Sequence, residues 1–130
     1  MVVFYALTAV FIFLLCQFFI PGFNEVLKGT VFLAPMIIFA LLGGALLFLT
    51  LKKKVKKPLK TYLMLTGASS AGFFVFVFLH NFFYALGIIF ENLSFLFEIL
   101  HATSFIISVV VAPVLFIAGV IGVFWIDYKK

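Results

Sequence analysis

Arginine is missing from the chain altogether, acidic residues number only four, and the single cysteine, Cys16, has no second thiol to pair with. A lone cysteine excludes an internal disulfide framework and a Cys-x-x-Cys metal or redox motif, and it leaves the redox compartment unread. Charge of any sign is scarce: 10% of the 130 residues are charged while 67% are hydrophobic. A typical soluble domain is roughly one quarter charged and about half apolar. A chain this short cannot hide so much apolar surface in one core, because small domains bury only a modest fraction of the surface they expose when unfolded. The remaining solvent is lipid, and the length leaves no room for a separate soluble module.

Catalytic signatures are absent too. The sequence contains no G-x-x-x-x-G-K-S/T, no G-x-G-x-x-G, no H-E-x-x-H and no G-x-S-x-G. Ser69 and Ser70 have no partner nearby in sequence for a nucleophile, and His80 lies about three helical turns further on. Nothing here argues for an enzyme. The net charge of +5 does not argue for nucleic acid either, since six of the nine lysines fall between positions 52 and 60. No basic face interleaved with aromatics is left to track a phosphate backbone.

What is present is apolar sequence in span-sized runs. About 20 mostly apolar residues carry a helix across the hydrocarbon core, and four segments qualify, at about 2–20, 30–51, 61–90 and 93–126. The first lacks a basic leading region and an A-x-A site, so it reads as a retained helix, not a cleaved leader. Pro21-Gly22 ends it, and Asn24, Glu25, Lys28 and Gly29 form a polar turn. The lysine-rich stretch 52–60 is the one strongly charged loop. The expected fold is therefore all-α: one transmembrane domain, 1–130, built as a four-helix bundle.

The positive-inside rule places the lysine loop in the cytoplasm, and both termini with it, in a multi-pass protein of the plasma membrane. Trp125, Tyr128 and Tyr62 fit the aromatic belt at that side. Pro35 and Pro113 fall inside spans two and four and predict kinks. The third segment is longer than the core. Residues 92–100 are expected either as an interfacial helix or as part of a long hairpin that protrudes.

Two features stand out as candidate sites. Thr66-Gly67-Ala68-Ser69-Ser70-Ala71-Gly72 sets small residues four apart in span three, and Gly43-Gly44-Ala45 and the Gly119/Gly122 pair do similarly in spans two and four. Small residues let helix backbones approach closely where lipid supplies no drive for association. They serve either packing within the bundle or docking of a partner.

The second feature is polar. At about 100° per residue, Tyr62, Thr66, Ser70, His80, Asn81 and Tyr84 share one side of span three, and Ser94, Glu98, His101, Ser104, Ser108, Ala112 and Gly119 share one side of span four. A hairpin turning near Glu91 puts His80 and His101 at matched depth. Four readings are open for the cluster His80, Asn81, Tyr84, Glu98 and His101. It forms a hydrogen-bonded patch near the interface, or a proton or solute path. Alternatively, the two histidines ligate a haem b, or contribute with a carboxylate to a metal site. No cofactor is required by the sequence. Glu98 and His101 are also placed to pair as i, i+3 neighbours, and Asn92-Leu93-Ser94 matches the glycosylation triplet.

The stretch Pro58 to Phe73, PLKTYLMLTGASSAGF, followed by Leu79-His80-Asn81-Phe82-Phe83-Tyr84, resembles a small prokaryotic membrane-protein family of unassigned function. In that family an L-T-G-A-S segment precedes an L-H-N-x-x-Y segment in one span, and a proline recurs in the last span, where Pro113 stands here. The resemblance is confined mainly to span three. It implies no activity, only that the small-residue stretch and His80, Asn81 and Tyr84 deserve mutation first. The functional expectation is an integral membrane protein working as a homo-oligomer or as an accessory subunit of a larger membrane complex. The alternative is a small transporter, channel or haem- or metal-carrying subunit that uses His80 and His101.

Overall fold

Long unbroken helices are what such a sequence must form, since only a helix satisfies its own backbone polar groups without water. The computed structural model describes residues 1–23, 31 and 33–129. The expected polar turn of Asn24, Glu25, Lys28 and Gly29, and a second span starting at Thr30, lie outside the described residues. The helices are α1 (Val2–Phe19), α2 (Leu33–Lys52), α3 (Lys57–Ile89), α4 (Ser94–Ile106) and α5 (Ala112–Tyr128). Glu91–Leu93 is a single 3-10 turn, and Ile107–Val111 is a π-helical segment joining α4 to α5. Residues 91–128 thus run as one helical rod, and the described residues contain four helices long and apolar enough to cross a membrane.

Helix ends follow local chemistry. Gly22 takes φ +85° just after Pro21, a backbone state open to glycine without strain, and α1 stops there. Pro58 sits in the first turn of α3, where its missing N–H costs nothing. That start falls inside the lysine-rich stretch, so the loop is shorter than 52–60: α2 runs through Lys52 and α3 begins at Lys57. Pro35, expected to kink span two, is instead the third residue of α2 and needs no kink. Pro113 does disturb its rod. It cannot donate to the Val109 carbonyl, and directly upstream the Ala112 N–H bonds to the Ile107 carbonyl, one residue further back than in an α-helix.

Packing centres on α3, which lies against α2 on one side and α5 on another, and further along against α4. The contacts are backbone-close. A Cβ placed on Gly43 would stand 2.7 Å from Ser70 Cβ, and one on Gly67 would stand 2.9 Å from the Gly43 carbonyl oxygen. Gly119 meets the hydroxyl and backbone of Thr66, and Gly122 lies under the Tyr62 ring. Tyr62, expected in the aromatic belt, is therefore a packing residue. Ser70 adds a cross-helix hydrogen bond, its Oγ donating to the Phe39 carbonyl at 2.6 Å. Thr50, Thr66 and Ser69 instead return theirs to the carbonyl four residues back.

Helix α1 joins differently. It packs on α2 and reaches α5 through rings: Phe4 meets Phe124 at 5.7 Å and Phe11 meets Phe116 at 4.4 Å between centroids. Phe39 of α2 joins the same cluster, 5.1 Å from Phe116. One side of the bundle is zipped by absent side chains and the other is propped by large ones.

The lengths disagree, and this shapes the molecule. At 1.5 Å per residue, α2 spans about 30 Å and α3 about 50 Å. Both start from the same lysine-bearing turn, so the last third of α3, paired antiparallel with α4, extends about 20 Å beyond the ends of α1 and α2. Residues 92–100 are the returning arm of this hairpin, not a separate helix lying across it.

The glycines divide into two classes, and this is testable. Gly119→Ala is expected to cost about 1–3 kcal/mol, as overpacking does. Gly44→Ala, where an added Cβ meets nothing within 4 Å, is expected to stay within about 0.5 kcal/mol of the parent. Unfolding in mixed micelles with rising SDS reads both; equal costs would mean that α3 and α5 do not meet at backbone distance.

Candidate functional site

The hairpin brings His80 of α3 and His101 of α4 into direct contact. Their rings stack with centroids 3.9 Å apart and planes 22° from parallel. His80 Nδ1 donates to the His101 carbonyl at 3.2 Å, and His101 Nδ1 donates to the His80 carbonyl at 2.9 Å. A carbonyl only accepts, so the reciprocal bonds set the same tautomer on both rings, with the proton on Nδ1 and the lone pair on Nε2. The arrangement is a two-fold clasp: each residue caps a backbone carbonyl of the other's helix, and both rings are half-buried between the arms.

Aromatic neighbours extend the stack. Tyr84 lies 5.4 Å from the His101 ring and Phe105 lies 5.3 Å from the His80 ring. Toward the hairpin turn, Tyr84, Gly87, Ser94, Phe97, Glu98 and His101 line an open cavity of about 270 Å³. Gly87 lies opposite Phe97 there, at a distance where an added Cβ would make an ordinary contact of 3.4 Å. Glu98 and Tyr84 are exposed at its rim. Asn81 is not part of the group; it is exposed, and its amide donates to the Val77 carbonyl of its own helix at 2.8 Å.

Of the two stripes read from the sequence, the structure thus joins His80, Tyr84, Ser94, Glu98 and His101. Tyr62, Thr66 and Ser70 are spent further down: the first two against Gly122 and Gly119 of α5, the last against α2. Ser104 and Ser108 are buried, with the Ser108 hydroxyl donating to the Phe105 carbonyl beside the π-helical segment. The small residues divide in the same way. Gly67, Ser70, Gly119 and Gly122 are buried in helix contacts, Ala71 is half-buried with its backbone N 2.9 Å from where a Gly43 Cβ would stand, Ala68 is exposed, and Gly72 faces open space.

The histidine pair does not suit a haem. Axial ligation from two sides requires the iron, and the macrocycle around it, between the imidazoles. Rings stacked at 3.9 Å leave no such gap. Among the described residues no group of three or more His, Cys, Asp or Glu side chains gathers to hold a metal ion.

Two features had little or no signal in the sequence. Gln17 of α1 is 2% exposed, and neither amide atom has a hydrogen-bond partner among the described residues. It is the one amide side chain in an apolar run, which was its only mark. The other is a cavity of about 540 Å³ below the clasp. Phe11 and Phe18 of α1, Met36 and Phe39 of α2, Phe73 of α3 and Phe116 of α5 line it, among others.

The clasp has a measurable signature. Because both hydrogen bonds run to backbone carbonyls, deleting one ring leaves the other bond intact and removes only the stacking shared by the two. His80→Ala and His101→Ala are each expected to cost about 1–2 kcal/mol, and the double variant less than their sum by about 0.5–1.5 kcal/mol, the worth of a ring pair. His80→Asn, whose amide reaches the Nδ1 position, should keep more stability than His80→Gln. SDS unfolding of the five variants checks this; strict additivity would dissolve the pair. Comparison with protein-family models, with curated proteins and with solved structures gives no match to this chain.

Proposed function

We propose that the protein is an integral membrane protein without enzymatic chemistry that works by association, as an accessory subunit of a larger membrane complex or as a self-assembling bundle. In this reading the lysine turn 53–56 and both termini face the cytoplasm, and the α3–α4 hairpin faces the opposite side. The observation that carries it is the overhang. The hairpin projects past α1 and α2 with large apolar side chains on its outer faces: Phe78 is 61% exposed, Ile89 68% and Phe95 75%. Single exposed apolar residues are ordinary on proteins, but a contiguous apolar surface rimmed by polar groups marks an interaction site. Gly67, Ser70, Gly119 and Gly122 are occupied inside the bundle, so the docking face moves from the Gly/Ala/Ser stretch to the hairpin.

Recovery from native membranes in mild detergent tests the proposal. Stoichiometric partners or a defined homo-oligomer are expected. Ile89→Lys with Phe95→Lys should cut recovery of the assembly at least ten-fold while leaving the bundle folded. A lone monomer in native membranes would sink the reading.

One observation favours a second reading, a proton or small-solute path. The tautomer set by the clasp leaves Nε2 as the remaining basic atom of each imidazole, and His101 lines the same cavity as Glu98 and Tyr84. Proton flux into liposomes carrying the protein would then fall at least ten-fold in His101→Ala, with no loss of folded protein. Equal flux with and without the protein removes this alternative.

A further inference from the structure

The cavity below the clasp has no part in the site described above. It measures about 540 Å³, within the roughly 300–1,000 Å³ typical of small-molecule sites. Its walls are almost wholly hydrocarbon. Among the described residues Ser69 is the one polar side chain in them, and its hydroxyl is already donated to the Leu65 carbonyl at 2.6 Å. Water needs two to four polar partners to settle in such a space, and here it finds none to spare. A packed interior does not leave a void of this size either. The occupant is therefore apolar.

Its position says which apolar molecule. Phe18 and Phe19 near the end of α1 and Met36 near the start of α2 are among the cavity's lining residues, and the hairpin continues past those helix ends. On α3 its lining residues Ser69, Phe73 and Val77 lead, at helical spacings of three and four, into His80, Tyr84 and Gly87. The apolar cavity and the polar one thus lie along the same side of one helix, about 10 Å apart from Val77 to Tyr84. An amphiphile has that order of parts: a chain between helices and a head about 10 Å further along α3. Charge selects the head. From Thr61 to Ile126 the chain has no lysine, and its only acids are Glu91 and Glu98, of which Glu98 sits at the rim of the polar cavity.

We propose that the bundle binds one bilayer lipid with an ammonium-bearing headgroup, its acyl chain in the cavity ringed by Phe11, Phe39, Phe73 and Phe116 and its head at Tyr84, Ser94, Glu98 and His101. This rests on the membrane placement above but not on the docking of a partner. The site makes the lipid part of the wall between α1 and the α3–α5 pair, beside the contact of Phe11 with Phe116.

Native mass spectrometry of the full chain tests it, with phosphatidylethanolamine and phosphatidylglycerol of identical chains offered in competition. One lipid per chain should survive detergent exchange, with the ethanolamine form favoured at least five-fold. Glu98→Gln should bring the two headgroups near parity without loss of binding, and Val109→Trp, which fills the cavity, should abolish retention. Should Val109→Trp fail to fold, a phosphatidylethanolamine carrying a photoreactive acyl chain decides on the native sequence. Labelling centred on Phe39, Phe73 and Phe116 supports the site, and labelling spread over outward residues such as Val75 and Phe78 overturns it. No retained lipid, or retention blind to headgroup and unchanged by Glu98→Gln, overturns it equally.

Discussion

The approach of α3 to its neighbours at backbone distance is the constraint on which the other features hang. Between apolar helices in a bilayer no hydrophobic drive exists, because lipid tails accept a leucine as readily as another helix does. What remains is dispersion and hydrogen bonding, and both need short distances. Gly43 against Ser70, Gly67 against the Gly43 carbonyl and Gly119 against Thr66 supply them on two sides of one helix. The Ser70 hydroxyl reaches the Phe39 carbonyl because no Cβ on Gly43 keeps the backbones apart. With α2, α3 and α5 locked in this way, the axis of α3 is fixed, and every residue beyond the end of α2 is held out along it.

The hairpin and the cavity both follow from that axis. Beyond the reach of α2, α4 is the helix beside α3 among the described residues, and two helices alone must find their own register. The histidine clasp ties the arms near the base, with each ring bonded to the opposite backbone and not to a side chain that could swing away. Below the clasp, α1 stands off from α5 on phenylalanine rings instead of glycines. Bulky props that do not interlock leave space behind them, and the 540 Å³ cavity lies there.

Much of this was legible in the sequence, and the reasons differ by feature. Four spans could be read because length and hydropathy fix them with no knowledge of neighbours. His80 and His101 could be paired because a hairpin turning near Glu91 makes sequence distance a measure of depth. The helix ends at Lys52 and Lys57 could not be read since apolarity fades gradually there, and Pro35 and Pro58 obey backbone chemistry that hydropathy does not see. The fate of the small residues could not be read: Gly67 and Gly72 look alike in sequence, and only the position of α2 decides that one is buried and the other open. Thr66 and Ser70 shared a stripe with His80 on a helical wheel, but the stripe is long enough to meet three different helices along its length. Gln17 and the cavity depend on what α1 fails to touch, which no local pattern encodes.

The same geometry makes opposite demands on the two ends of α3. At the lysine end, close packing on two sides leaves little freedom, and the hydroxyls of Thr61 and Thr66 turn back onto their own helix. At the hairpin end, the helix has one neighbour, exposed phenylalanines on its outer face and its only acidic neighbours, Glu91 and Glu98, near the turn. A segment of that kind gains little by packing on itself, since the clasp already uses the inner face and the outer one is left to lipid or protein. The weakly spliced α1 sits between these regimes. It is held by rings against α5, carries a buried amide without a partner among the described residues at Gln17, and borders the cavity along Phe11, Leu14 and Phe18. The closest backbone approaches in the protein are those joining α2, α3 and α5, while α1 meets its neighbours through rings and lines the apolar cavity.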